Sequence, residues 1–228
     1  CNMIGKLTGT IDLIKNNQLD SIYFGGGTPS LLEASEIQRI LLGLKDLNFS
    51  FKKNIEITIE VNPDDISKEI LLALKDAGFT RLSIGIQSFN QDHLVWMNRS
   101  HTAQQAESIL LSAVQLGFES SSVDLIYGFQ DLTNSQWELN VTKALNSGLN
   151  HLSAYALTIE EKTPFYIIQK QQDVALVNDS SAWEQFKFLH TEAERQGWDH
   201  YEISNFAKTG NRSLHNGAYW QGKPYLGF

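Results

Sequence analysis

The sequence predicts an α/β fold in which mainly parallel strands curl into an open barrel or half-barrel with helices outside. Helical patterns alternate with strands, which favours a parallel sheet with right-handed crossovers. The helical patterns close on a glycine followed by a bulky apolar residue: Gly78-Phe79, Gly117-Phe118, Gly148-Leu149 and Gly197-Trp198. Glycine just past a helix accepts the left-handed conformation that closes the last turn. The strands, in contrast to the near-continuous apolar runs of a sheet covered on both faces, alternate an apolar face with a small or polar one. That pattern suits a barrel whose interior is polar and open to a ligand.

In chain order, Ile4, Leu7, Ile11 and Ile14 share one face of a helix. Ile22, Tyr23 and Phe24 read as a short buried strand that runs into Gly25-Gly26-Gly27-Thr28-Pro29-Ser30. Ile55, Ile57, Ile59 and Val61 then alternate with Glu56, Thr58 and Glu60. Leu82, Ile84 and Ile86 alternate with Ser83, Gly85 and Gln87. Helical spacing joins Ala103, Ala106, Leu110 and Ala113. The next strand alternates Val123, Leu125 and Tyr127 with Ser122, Asp124 and Ile126, and a later helix carries Trp183, Phe186, Leu189 and Ala193.

Composition narrows the class. At 228 residues, 42% of them hydrophobic, with five Trp, twelve Phe and seven Tyr, the chain supports a sizeable core and is not a disordered one. A net charge of -8 argues against broad nucleic-acid binding, which needs a basic surface. A single cysteine excludes a disulfide framework and any cysteine-ligated metal site built from this sequence alone. No apolar run approaches the roughly 20 residues of a membrane span, and no signal peptide is visible, so the expected compartment is the cytoplasm. The chain opens on Cys1 and stops at Leu226-Gly227-Phe228 without completing an element, which suggests a fragment.

The candidate site follows from the alternation. Glu60, Gln87 and Asp124 point into the barrel, late in their strands, and the glycine triplet lies at the same end. Ligands bind at the C-terminal ends of barrel strands. Glycine is costly inside a strand, so a triplet at a strand end means either a bare tight turn or backbone that must approach something closely. The triplet lacks the Gly-Lys-Ser/Thr ending of a triphosphate loop, and Ser30 stands where a dinucleotide fingerprint wants glycine. Two carboxylates facing an enclosed space ask for a cation or several donors. Arg99 either pairs with a ligand carboxylate through its fork or is a plain surface arginine. His101 is placed at the border of the same cleft, and the histidines show no metal-ligand spacing.

The motifs carry a resemblance. Tyr23 to Leu32 (YFGGGTPSLL), Glu60 to Asp64 (EVNPD), Ser83 to Phe89 (SIGIQSF) and Asp124 to Gly128 (DLIYG) are similar to successive motifs of radical S-adenosylmethionine proteins. The matching branch is that of oxygen-independent coproporphyrinogen III oxidase. His151 to Glu160 (HLSAYALTIE), Tyr201 to Ala207 (YEISNFA) and His215-Asn216-x-x-Tyr219-Trp220 resemble the haem chaperone subgroup within it.

The resemblance implies a partial (βα)6-type radical SAM barrel, an incomplete TIM-like barrel, over residues 1–158. The start of a C-terminal region peculiar to the haem chaperones and oxidases would occupy 159–228. It implies that Gly26, Gly27 and Thr28 contact the methionine part of S-adenosylmethionine and that Glu60 holds its ribose side. Gln87, Arg99 and Asp124 match positions that line a second S-adenosylmethionine site in the oxidase branch. The implied function is haem binding and transfer to an acceptor haem protein. The alternative is oxidative decarboxylation of coproporphyrinogen III, with a porphyrinogen in place of haem. The family's three-cysteine motif for a 4Fe–4S cluster precedes the glycine loop and is absent here, so its ligands are expected upstream of Cys1. His215 is the candidate haem contact, with Tyr219 and Trp220 beside it; the competing reading has His215 and Asn216 tie down a loop through backbone hydrogen bonds.

Overall fold

The structure, a computed structural model, describes residues 18–46, 49–118, 120–172 and 177–227. Cys1 and the expected helix of Ile4, Leu7, Ile11 and Ile14 lie outside the described residues. The strands are β1 (Gln18–Phe24), β2 (Ser50–Val61), β3 (Arg81–Gln87), β4 (Ser122–Tyr127), β5 (His151–Ala156), β6 (Asp199–Glu202) and β7 (Asn205–Ala207). Between and after them run α1 (Ala34–Asp46), α2 (Lys68–Asp76), α3 (Gln91–Trp96), α4 (Ala103–Gln115), α5 (Asn134–Leu145), α6 (Pro164–Gln172), α7 (Asp179–Arg195) and α8 (Leu214–Trp220).

All seven strands form one sheet in the order β1-β2-β3-β4-β5-β7-β6. β1 to β5 pair in parallel with their sequence neighbours, with Ile22 opposite Ile57, Ile59 opposite Leu82, and Val123 opposite Leu152. β7 then joins β5 in the antiparallel sense, and β6 closes a hairpin onto it. The result is the expected partial barrel, a curled half-barrel whose edge past β5 is an antiparallel hairpin.

Local sequence sets the boundaries. Thr102 with Gln105 and Thr133 with Gln136 form capping boxes that start α4 and α5; such caps satisfy backbone N–H groups that have no helical partner. The glycines predicted to close helices adopt positive φ, from +75 at Gly197 to +100 at Gly78. The alternation also holds. Ile57, Ile59, Leu82, Ile84, Val123, Leu125 and Leu152 are buried against Leu71 and Leu74 of α2, Ala106 and Leu110 of α4, and Trp137 and Val141 of α5. Each such aliphatic side chain contributes roughly 1.5–3 kcal/mol on burial. One stripe divides: Leu189 and Ala193 of α7 are buried, but Trp183 is 58% exposed. The opposite face of the strands lines the concave side, with α8 laid across its β1–β2 part.

Candidate functional site

A cleft of about 490 Å³ opens at the C-terminal end of the parallel strands, with Tyr23, Gly27, Glu60, Asn62, Gln87, Asp124 and Tyr155 in its wall. Glu60 is the next-to-last residue of β2. Its carboxylate accepts the Tyr23 hydroxyl at Oε1 (2.8 Å) and the Gly26 N–H at Oε2 (3.0 Å). Burial and the neighbouring Glu60 charge raise the Tyr23 phenol well above its ordinary range, so it stays a donor.

The glycine triplet serves two purposes. A Cβ on Gly25 would stand 2.5 Å from Tyr23 Cε1 and 2.8 Å from Glu60 Oε1. Gly25 is therefore required by neighbouring side chains, where the sequence favoured a ligand. Gly26 and Gly27 have φ of +79 and +66, and no described atom lies within 4 Å of where a Cβ would be. Their exposed backbone faces open space at the cleft mouth. Thr28 follows as the residue before the short turn Pro29–Leu31 and is not in the wall.

Gln87 ends β3 with φ +64, a left-handed conformation costing a non-glycine residue of order 1–3 kcal/mol. The β3–β4 register shifts between Ile84 and Gln87, which turns the Gln87 amide inward. Gly85 makes room for it: a Cβ there would lie 2.9 Å from Gln87 Nε2. Arg99, in the loop after α3, reaches the same point: its Nη2 would lie 3.4 Å from that Cβ. Its Nη2 donates to Asn62 Oδ1 at 2.6 Å and lies 3.5 Å from the Gly85 carbonyl. The side-chain partner of Arg99 among the described residues is thus an amide, and the arginine braces Asn62 against β3.

Asp124 is the third of six residues in β4, deeper than the strand-end position expected of it. Ser122 Oγ lies 2.6 Å from Oδ1 and Ser83 Oγ 2.6 Å from Oδ2. Burial pushes the carboxyl up to about 6, against the pull of the Ser122, Ser83 and Ser153 hydroxyls and the Arg81 guanidinium. Below it, His151 is wedged between Ser122 Oγ (3.0 Å from Nδ1) and the Tyr201 hydroxyl (2.8 Å from Nε2). Burial holds this imidazole neutral, well below the usual histidine range, with Arg81 acting in the same direction.

α8 crosses the polar face of β1 and β2. Ser213 Oγ, Leu214 N and His215 N all donate to the Glu56 carboxylate, at 3.2, 3.0 and 2.9 Å. Arg81, 4% exposed, lies 3.7 Å from the same group. The backbone of His215 is thus tied down as one sequence reading proposed. Its ring stacks on Tyr23, centroids 4.4 Å apart, and meets Tyr219 edge-on at 5.1 Å. Trp220 is 61% exposed.

Of the predicted residues, the structure brings Gly26, Gly27, Glu60, Gln87 and Asp124 together, sets Arg99 against Asn62 and Gly85 and Thr28 beside the cleft, and holds His215 one layer below through Tyr23. His101 does not border the cleft: it is fully buried, with Nε2 3.1 Å from the Ile86 carbonyl. Sequence reasoning missed Tyr23, Asn62, Ser83 and the Glu56–Arg81 pair as working parts. The first three were within reach, since Asn62 and Ser83 stand two residues from cleft residues on the same strand face, and Tyr23 opens the glycine motif.

Two carboxyl groups, open glycine backbone and amide donors fit a ligand with one positive charge, hydroxyls and an amino acid end, as S-adenosylmethionine has. A 4Fe–4S cluster is not accommodated: the 228 residues hold one cysteine, and no group of three metal-ligating side chains occurs among the described residues.

Residues 6–141 match the Radical SAM superfamily, and the chain belongs to it. It is 34% identical over 223 residues to the heme chaperone HemW of Bacillus subtilis, covering 98% of this chain and 59% of that protein. HemW of Haemophilus influenzae is 36% identical over 94% of this chain and 55% of its own length. Radical S-adenosyl methionine domain-containing protein 1, mitochondrial, of Danio rerio is 33% identical over 95% of this chain and 49% of its own. The chain thus spans about half to three-fifths of these relatives. Among solved structures, coproporphyrinogen III oxidase (HemN) from Escherichia coli superposes with a TM-score of 0.77 at 24% identity, over 96% of this chain and 50% of that one. That likeness concerns the fold. No helix among the described residues is long and apolar enough to cross a membrane.

Proposed function

We propose that this chain is the S-adenosylmethionine-binding part of a haem chaperone of the radical SAM class, which binds haem and passes it to acceptor haem proteins in the cytoplasm. The observation that supports it best is the convergence of Glu60, Asp124 and the open Gly26–Gly27 loop on one cleft, in a chain whose curated relatives include heme chaperones matched over nearly all of its length.

In this reading Glu60 holds the ribose side of S-adenosylmethionine, its orientation fixed by Tyr23 and the Gly26 N–H. The Gly26, Gly27 and Thr28 backbone meets the methionine end. Gln87, Arg99 and Asp124 form the neighbouring wall, where a second molecule would lie. A 4Fe–4S cluster would supply the electron for reductive cleavage of S-adenosylmethionine in the intact protein, and the single cysteine of these 228 residues could not hold it. His215, already fixed on Tyr23 and Glu56, is the candidate haem contact.

Haem added to the intact protein is expected to give a stoichiometric Soret shift, and an apo haem protein added next should take the haem up. Decarboxylation of coproporphyrinogen III at enzymatic turnover would replace this reading with that of an oxidase.

A further inference from the structure

The hydroxyls around Asp124 are one proton short. Ser122 Oγ lies 2.6 Å from Asp124 Oδ1 and 2.8 Å from Ser153 Oγ, and Ser153 Oγ lies 2.6 Å from Asn205 Oδ1. These are three oxygen–oxygen contacts, and each needs a hydrogen. The two serines supply two. The Asn205 amide cannot turn to supply the third, because its Nδ2 donates to Glu202, and a carboxylate only accepts. Glu202 also takes the Ser204 N–H at 3.3 Å. The direction of the chain is therefore set at Glu202: Asn205 presents its carbonyl, Ser153 donates to it, and Ser122 donates to Ser153. Ser122 then has no proton left for Asp124.

His151 does not relieve the shortage. As a neutral imidazole it has one N–H: on Nδ1 it can only donate to Ser122, and on Nε2 it leaves Nδ1 a further acceptor beside Ser122, so neither tautomer brings a hydrogen to Asp124. Its Nε2 lies 2.8 Å from the Tyr201 hydroxyl, whose oxygen takes the Ser213 N–H at 3.2 Å. The missing hydrogen has one remaining source, the Asp124 carboxyl itself.

We propose that Asp124 of the ligand-free cleft carries a proton, donated onto Ser122, and that a cation entering the cleft displaces it; Ser153 and Asn205 are the positioning residues that impose this state. The inference rests on the cleft being an S-adenosylmethionine site. Tyr23 on β1, Arg81 on β3 and Tyr155 on β5 act on Asp124, Glu60 on β2 lines the same cleft, and His151 on β5 lies behind Ser122. The one cation among them, Arg81, is held beside Glu56. Asp124 thus has a vacancy for positive charge that a sulfonium or ammonium fills. Burial raises this carboxyl to about 6, which puts gain and loss of the proton within reach of ordinary solution pH.

The test is infrared difference spectroscopy and S-adenosylmethionine titration on the intact protein between about pH 5 and 7. The ligand-free protein should show a carboxylic acid carbonyl band that is absent from Asp124→Asn and is lost on adding S-adenosylmethionine. Affinity should weaken about tenfold per pH unit below the Asp124 midpoint and lose that slope in Asp124→Asn. Ser153→Ala frees the Ser122 hydrogen for Asp124, so the midpoint should fall. Glu202→Gln lets Asn205 turn and should act in the same direction. If Ser153 instead helps to stabilise the carboxylate, Ser153→Ala leaves the midpoint unchanged or higher, and that result overturns the proposal. Absence of S-adenosylmethionine binding at every pH overturns the cleft assignment alone, because the band and its response to Ser153→Ala are read without ligand.

Discussion

Tyr23 and His215 stack ring on ring, 4.4 Å between centroids and 20° from parallel. The hydroxyl of the same tyrosine donates to Glu60. One side chain therefore joins the wall of the cleft to the first turn of α8, across nearly two hundred residues of sequence.

The glycine triplet divides into positions with different consequences. Gly25→Ala forces its new methyl into Tyr23 and Glu60, so it should displace the carboxylate and weaken S-adenosylmethionine binding as much as Glu60→Ala does. Gly26→Ala meets no side chain but must hold φ near +79, which costs about 1–2 kcal/mol. Urea unfolding and ligand binding, measured on both variants, should separate a binding defect from a stability defect.

Glu56 is the polar anchor of α8. Glu56→Gln leaves Arg81 buried without its charge partner, and breaking such a pair costs about 3–5 kcal/mol. A lowered urea midpoint is expected, with faster amide exchange at Leu214 and His215, whose N–H groups end on this carboxylate. An unchanged exchange rate there would mean that α8 is held by its aromatic contacts alone.

Stability should respond to acid in two opposed ways. Burial depresses His93, His101 and His151, so the folded state binds fewer protons than the unfolded chain. Their contribution is full above about pH 6.5 and is lost as the pH falls below it. Asp124, raised to about 6, holds its proton more tightly when folded, so its contribution grows as the pH falls from about 6 towards 4. Asp124→Asn removes the opposing gain. Its urea midpoint should therefore drop more steeply with acid than that of the wild type.

The sequence made the sheet and the rim of the cleft legible because both depend on alternation two residues at a time. Ile59 against Glu60 and Leu125 against Asp124 declare their faces without help from distant residues. Gln87 was legible by face but not by its left-handed backbone, which depends on the register shift against β4. Glu56 looked like any polar residue on a strand. Its partners, Arg81 and the start of α8, come from the next strand and from 157 to 159 residues further on. His101 was misplaced because proximity in sequence to Arg99 says nothing about which side of β3 it packs on. The antiparallel return of β7 was also hidden, since strand direction is set by the connection and not by the strand's own residues.

The site assignment turns on equilibrium binding of S-adenosylmethionine to the intact wild-type protein, Glu60→Ala and His215→Ala. Glu60→Ala removes a charged acceptor worth about 1.5–3 kcal/mol and releases Tyr23, so affinity should fall at least tenfold. His215→Ala removes a ring that touches the cleft only through Tyr23, so most of the roughly 0.5–1.5 kcal/mol of that aromatic pair is lost from stability, and affinity should fall much less than in Glu60→Ala. Equal affinities for the two variants would contradict the placement of the cofactor against Glu60.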